Sequence, residues 1–225
     1  MSKDGTTRLK RSQADRRARI MAGARKLVSR GGAAALSMRK LADEAGLSVN
    51  TIYNLVGDRD AVLGALVELG LTRLATKTSH LAESDEPLRA ILAMTRAAVK
   101  VARADAPLFR ALALAVHEHR GQVGVSPLPG MRRAERMALP LLERAQASGA
   151  IEAEIDIVRL GRRLHDGFFA VLESWAARST RDIGFEDEAV YSATLTLLAA
   201  ATYSHRPALF AGVVGLQAKL GASKR

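Results

Sequence analysis

Apolar residues recur with helical period along nearly the whole chain, and no segment alternates with period two long enough to argue for a strand. Ile20, Met21, Ala24, Leu27 and Val28 fall at i, i+1, i+4, i+7 and i+8, which predicts a first helix over 15–30 with one face to bury. Gly31 and Gly32 end it. Met38, Leu41, Ala42 and Ala45 repeat the pattern over a shorter span, with Ser37 placed as N-cap and Gly46 as the left-handed stop. Ser48 is placed to cap a third helix running to about Val56, on which Ile52 and Val56 point one way. Asp58 caps a fourth, from Arg59 to about His80, whose apolar side carries Val62, Leu63, Leu66, Val67, Leu71 and Leu74. Pro87 and Pro107 each open a further helix, to about Ala104 and Arg120, since proline is tolerated in a first turn. A loop over 121–130 (GQVGVSPLPG) follows, and helices over 131–148, 156–178, 186–204 and 207–220 complete an all-α chain with no internal repeat.

The helix pair over 36–59 carries the most specific chemistry. On its second helix Val49, Asn50, Tyr53 and Asn54 share a face within about 140° of arc at 100° per residue. That face holds two amides, a phenol and a small apolar group, and no charge. Amides can pair bidentately with adenine edges, and a small apolar side chain can touch a thymine methyl. Small Ala42 over the turn and Gly46 within it follow helix-turn-helix spacing. Taken alone, the same residues also fit an ordinary helical hairpin whose polar face is merely wet.

Charge changes that balance. The net charge is +11. Residues 1–60 hold 13 Lys/Arg against 6 Asp/Glu, a net of +7, and residues 61–225 hold 21 against 17, a net of +4. Over half the excess lies in about a quarter of the chain, the footprint of a phosphate-binding surface. A basic pole alone also suits an acidic protein or a membrane. The polar stretch over 1–14, with Lys3, Arg8, Lys10 and Arg11, reads as a flexible basic arm, suited to a minor groove or simply to solvent. Arg16, Arg17 and Arg19 sit near the expected start of the first helix, against its dipole, where a phosphate or solvent can relieve them.

Residues 20–63 resemble the N-terminal DNA-binding domain of the tetracycline-repressor (TetR) family of bacterial transcription regulators. The resemblance rests on Leu41-Ala42, Ala45-Gly46-Leu47-Ser48, Thr51-Ile52-Tyr53 and the Asp58-Arg59-Asp60-Ala61-Val62-Leu63 start of the fourth helix. Leu55, Val56, Gly57 and Arg59 depart from the family's usual His, Phe, Pro or Lys, and Lys, without disturbing the register. What the resemblance implies is a helix-turn-helix DNA-binding domain over 15–63 and a larger helical ligand-binding and dimerisation domain over 64–225. In that scheme Tyr53 and Thr51, with Ser37, Ser48 and Arg59, hold phosphates and set register, while Asn50, Asn54, Val49 and Arg39 read bases. The fourth helix links head to body. The helices over 148–178 and 186–204 form a four-helix bundle across a dimer two-fold, with Gly161 and Gly167 allowing close approach. The apolar stripe Leu160, Leu164, Val171 and Trp175 fits that interface and fits core packing within one subunit equally well. The implied partners are double-stranded DNA bearing a palindromic operator, a small-molecule ligand and a second copy of the chain.

Other chemistry is sparse. There is no cysteine, hence no disulfide framework, thiol nucleophile or cysteine-based metal site, which fits the cytoplasm. His117 and His119 lie two apart and do not make the HExxH zinc motif, and neither a G-x-S-x-G elbow nor a phosphate-cradling glycine loop occurs. No enzyme, metal or cofactor is expected. The basic N-terminus is followed by no apolar core of a signal peptide. The longest stretch without Asp, Glu, Lys or Arg, 189–205, has 17 residues, short of the ~20 mostly apolar residues of a spanning helix, so no membrane is expected. Met94, Phe109, Met137, Phe168, Phe169 and Trp175, with His165 as a polar contact, are candidates to line a pocket between body helices, though each taken singly fits plain core. Two rival functions stay open at this stage: an apolar-ligand carrier or enzyme with a vestigial helix-turn-helix, and a non-specific architectural DNA binder.

Overall fold

The structure, a computed structural model, describes residues 3–120, 128–178 and 184–222, with backbone alone for 3–10 and 119–120. Helix follows helix. α1 (Lys3–Gly31), α2 (Met38–Ala45), α3 (Val49–Leu55) and α4 (Arg59–Thr78) come first. They are followed by α5 (Pro87–Arg103), α6 (Ala106–Arg120), α7 (Met131–Arg136) and α8 (Leu139–Ala147). α9 (Ile157–Ala177), α10 (Phe185–Ala200) and α11 (Arg206–Ala222) close the chain. Among the described residues there is no strand, only an isolated antiparallel bridge between Ile151 and Ala201, and the fold is all-α as the hydrophobic period predicts. No helix of the described residues is long and apolar enough to cross a membrane.

Two compact units form. The first comprises Met1–Leu69 and Pro107–Met131, the second Gly70–Ala106 and Arg132–Arg225. The boundary expected after residue 63 thus comes at Leu69, and 107–131 groups with the first unit rather than with the body. In the first unit α1 lies on α2 and α3. Ile20, Ala24 and Val28 of α1, Leu41 and Ala45 of α2, Ile52 of α3 and Val62, Leu63 and Leu66 of α4 are buried, the positions the 3.6-residue period selects. Each fully buried Leu or Ile contributes about 1.5–3 kcal/mol. Seven-residue α3 has no such reserve of its own and depends on Ile52.

In the second unit α10 is the central helix, packed on α5, α9 and α11, while α8 packs on α5 and α9. The core gathers Leu88 and Ile91, Leu141 and Leu142, Leu160 and Leu164, and Leu197, with Leu209 from α11. The link between α8 and α9 is tied to the end of α10: Glu152 donates to the Ala200 carbonyl at 3.0 Å and Thr202 to that of Ala150 at 3.1 Å.

Three expectations are corrected. The segment expected as a flexible arm is helical from Lys3, so α1 starts twelve residues before Asp15. Its Lys, Arg, Leu, Gln and Ala residues are good helix formers, and the scarcity of apolar positions there bears on tertiary anchoring, not on helix propensity. The single helix expected over 131–148 is two, α7 and α8. Pro140 lacks an N–H and its ring collides with the carbonyl four residues back, so it is tolerated only in the first turn of a new helix, where it sits. The last body helices shift as well: α10 stops at Ala200, not at Ser204, because the chain turns extended to make the bridge at Ala201. Of the loop expected over 121–130, residues 121–127 lie outside the described residues.

Candidate nucleic-acid interface

The surface of interest is set by three caps. Ser37, in extended conformation, accepts a hydrogen bond from Lys40 N at 3.2 Å and starts α2. Ser48 does the same for Thr51 N at 3.2 Å and starts α3, and its hydroxyl also pairs with Thr51 Oγ1 at 2.8 Å. Asp58 accepts from Ala61 N at 2.8 Å at the head of α4. Each satisfies one of the N–H groups that a helix start leaves unpaired. Between α2 and α3 the chain turns at Gly46, with φ 60° and ψ 45°, a left-handed geometry open to glycine at no steric cost. A Cβ there would also stand 2.7 Å from Arg19 Nη2. Gly57, with φ 118°, does the corresponding work between α3 and α4, which gives this departure from the family pattern a backbone reason.

With α3 anchored by buried Ile52, the opposite side faces solvent. Tyr53 is 49% exposed, Asn50 and Asn54 are exposed, and Val49 and Thr51 are half-buried at the rim. The four residues expected to share a face therefore do so, and no charged side chain interrupts them. Arg39 is exposed in the first turn of α2, beside exposed Lys40, a cation the sequence reasoning left out. Arg16 of α1 is exposed as well.

Arginines that sequence reasoning assigned to phosphates or left to solvent serve the scaffold instead. Arg17 Nη1 donates to Leu55 O at 2.8 Å, and Arg19 Nη2 donates to Ala45 O at 2.6 Å and Gly46 O at 2.9 Å. A cation thus sits at the C-terminal carbonyls of α3 and another at those of α2, the electrostatically favoured position. Because α1 begins at Lys3, neither arginine lies at its unfavourable N-terminus. Arg59 lies half-buried against the segment before α2. Its Nε donates to Leu36 O at 3.1 Å and its Nη2 to Ala33 O at 2.8 Å, with Asp60 3.7 Å from Nη1. Through these two carbonyls Arg59 positions the segment leading into α2, while its side chain stays 43% exposed, so the phosphate contact expected for it is neither made nor excluded by this packing. Lys26 and Glu44 add an ion pair between α1 and α2. Nothing in the local sequence marks these partners, which stand 18 to 38 residues away.

The candidates for a ligand pocket divide. Phe109 belongs to the first unit, and Met94, Met137, His165, Phe168, Phe169 and Trp175 to the second. Met94 packs against the second unit's core, and half-buried Met137 lies at the break between α7 and α8. Trp175 stacks on Phe185 with ring centroids 4.6 Å apart and planes 12° apart, and Phe168 approaches the same ring at 6.5 Å. Arg103 lies over Phe185 at 5.9 Å and 3.7 Å from Glu186. His165 stacks on Phe169 at 6.1 Å and stands 3.6 Å from Asp166. Phe168 and Trp175 of α9 are thus brought together with Phe185, a residue the sequence reasoning did not select, while His165 and Phe169 form a separate stacked pair in the same unit. Among the described residues no group of His, Asp and Glu could hold a metal ion.

Comparison with known proteins agrees with this geometry. Residues 20–66 match the family model for bacterial regulatory proteins of the tetR family. No curated protein sequence matches. Among solved structures the chain is similar to SmeT, the repressor of the Stenotrophomonas maltophilia multidrug efflux pump SmeDEF, at 18% identity and TM-score 0.64, over 84% of this chain and 92% of that one. It is similar to a gamma-butyrolactone receptor (ArpA-like protein) at 17% identity and TM-score 0.56, over 91% and 98% of the two chains. The TetR-family regulator PfmR from Thermus thermophilus aligns at 22% identity and TM-score 0.52, over 79% and 96%. At these identities the likeness is one of fold.

Proposed function

From a chain that belongs, through its residues 20–66, to the tetR family of bacterial regulatory proteins, we propose a homodimeric repressor that leaves a palindromic operator when a small molecule binds its body. The observation that carries this reading is the solvent-facing side of α3. It presents Asn50, Tyr53 and Asn54 without a charge, on a helix fixed at its start by Ser48 and at its end by Arg17. Two such helices, one per subunit, enter successive major grooves about 34–36 Å apart. Asn50, Asn54, Val49 and Arg39 read base edges, and Tyr53, Thr51, Ser37, Ser48 and Lys40 hold phosphates. Arg59 acts one step back, by holding the segment before α2.

A ligand in the second unit, for which Met94, Met137, His165, Phe168, Phe169 and Trp175 remain the candidates, favours a dimer whose heads no longer match the half-site spacing. By linkage, operator DNA weakens that ligand's binding by the same factor.

The test is selection of genomic fragments by the purified protein at about 150 mM salt, where weak attraction to any DNA is partly screened. Recovery of one near-palindromic site is the expected result. Recovery of no preferred sequence overturns the reading.

A further inference from the structure

The cations that charge the first unit lie mostly ahead of its helix-turn-helix. Residues 1–19 hold 7 Lys/Arg against 2 Asp/Glu, a net of +5, whereas residues 20–60 hold 6 against 4, a net of +2. The match to the family model begins at residue 20, so most of this charge stands outside the shared domain. Arg17 and Arg19 hold carbonyls at the ends of α3 and α2. The sequence puts the other five, Lys3, Arg8, Lys10, Arg11 and Arg16, on the earlier part of α1.

That part is continuous helix. From Lys3 to Arg19 it has 17 residues, about 25 Å at 1.5 Å per residue. Among the described side chains Arg11 and residues 13–19 are exposed, Ser12 is half-buried, and Ile20 is the first to enter the core. Its only apolar side chains are Leu9, Ala14 and Ala18, too few for an amphipathic stripe. A helix without such a stripe has nothing to sink into a bilayer surface or a protein groove, and offers charge alone. Arg17 Nη1 on Leu55 O sets this stretch at the C-terminal end of α3, the helix that presents Asn50, Tyr53 and Asn54. The major groove is about 12 Å wide, so the end of a helix seated in it reaches the phosphate ridge at its border.

We propose that residues 3–16 of α1 form a second DNA contact, a cationic helix laid on backbone phosphates beyond the base pairs that α3 reaches; the inference rests on the DNA-binding reading and extends its surface. The helical state decides the mode. A helix with side chains is about 10–12 Å across and the minor groove about 6 Å wide, so this stretch cannot enter that groove as an extended basic arm can. It lies on the backbone instead, where phosphates of one strand follow each other at about 3.4 Å and 25 Å of helix passes about seven of them. Such contacts carry no base information. Labour is thus divided between the two helices: α3 reads sequence, and the start of α1 supplies much of the attraction.

The test combines salt-dependent binding with hydroxyl-radical footprinting of the full chain. Arg8→Gln, Lys10→Gln and Arg11→Gln together remove three cations per copy and keep good helix formers, at positions ahead of the first core residue. The triple variant is expected to bind operator and scrambled duplex alike about tenfold or more weakly at about 150 mM salt, with the slope of log K against log salt flatter by about two or more. Its footprint on the operator should lose protection beyond the read base pairs and keep it within them. An unchanged slope and footprint overturns the proposal. Ala14→Pro keeps every cation and breaks the helix. It should reproduce the loss; full affinity in this variant would mean that a flexible arm suffices and overturns the helical contact. Vesicles of anionic phospholipid that hold the unaltered chain at the same salt and release the triple variant, with DNA binding unchanged, would give the helix to a membrane and overturn it too. The two readings fail separately. A preferred site bound with equal slope and footprint by chain and variant removes only the α1 contact, whereas loss of affinity and slope on scrambled DNA without any preferred site removes only the operator reading.

Discussion

Arg59 commits one edge of its guanidinium, Nε and Nη2, to Leu36 O and Ala33 O, which ties the head of α4 to the segment before α2. Lysine keeps the charge but has no planar fork, so it cannot bridge two acceptors in this way. Arg59→Lys is therefore expected to lower the stability of the first unit by about 1–2 kcal/mol, the scale of losing hydrogen bonds from a charged donor, measured as a shift in denaturant midpoint at constant slope. An unchanged midpoint accompanied by weaker DNA binding would assign Arg59 to a phosphate instead. The exposed groups of α3 separate differently. Tyr53→Ala should weaken binding to all sequences alike, whereas Asn50→Ala should relax discrimination at a single base position by about 1–3 kcal/mol. Competition binding against a panel of single-base operator variants distinguishes the two patterns.

At the scale of elements, the start of α9 offers a pH signature. Asp156 accepts from Val158 N at 2.9 Å and from Arg159 N at 3.1 Å. The backbone hydrogen bond from Arg159, aided by that from Val158 and by the Arg159 guanidinium, holds its carboxyl below the ordinary aspartate value. A carboxyl depressed on folding adds stability above its unfolded pKa, and that stability is lost as pH falls through the folded pKa. Asp156→Asn keeps a capping oxygen and removes the titration. The difference in Tm between the unaltered chain and this variant should be largest above about pH 5 and shrink toward about pH 3; a pH-independent difference would refute the assignment. General acid repulsion acts on both proteins and cancels. Ser37, Ser48 and Asp58 were legible in the sequence because a cap and the N–H it satisfies lie within three residues of each other, and Gly46 because a left-handed helix stop selects glycine; the same logic applies to Asp156, which sequence reasoning placed only as the start of a helix. Pro140 was equally legible as a helix start, but the good helix formers on both sides of it, from Met131 to Ala147, read as one continuous helix. Arg17, Arg19 and Arg59 were not legible as scaffold, since their acceptors are backbone carbonyls brought near only by tertiary folding. For the same reason the burial of Leu160, Leu164 and Trp175, and the close approach of α8 to Gly161 and of α10 to Gly167, could not be read until the neighbouring helices were in place.

The whole molecule adds what no single contact supplies. A net of +7 in residues 1–60 attracts any phosphate backbone, so affinity alone does not separate an operator binder from a general one. Salt dependence and sequence preference do so together. If two heads neutralise six or more phosphates, log K falls linearly with log salt at a slope of about −0.9 per phosphate, a loss of about 10³ or more between 50 and 200 mM. The base-reading terms carried by Asn50 and Asn54 exchange hydrogen bonds without releasing counterions, so the ratio of operator to scrambled-site affinity should change far less than either affinity. Titrating both DNAs at four salt concentrations gives two lines. Lines that converge at high salt would mean that the apparent preference is itself electrostatic. Parallel lines would mean that α3 reads sequence while the basic surface around it supplies attraction. An operator line shallower than about two phosphates would leave too few contacts for a dimer docked through both heads, and would point to one head engaged at a time.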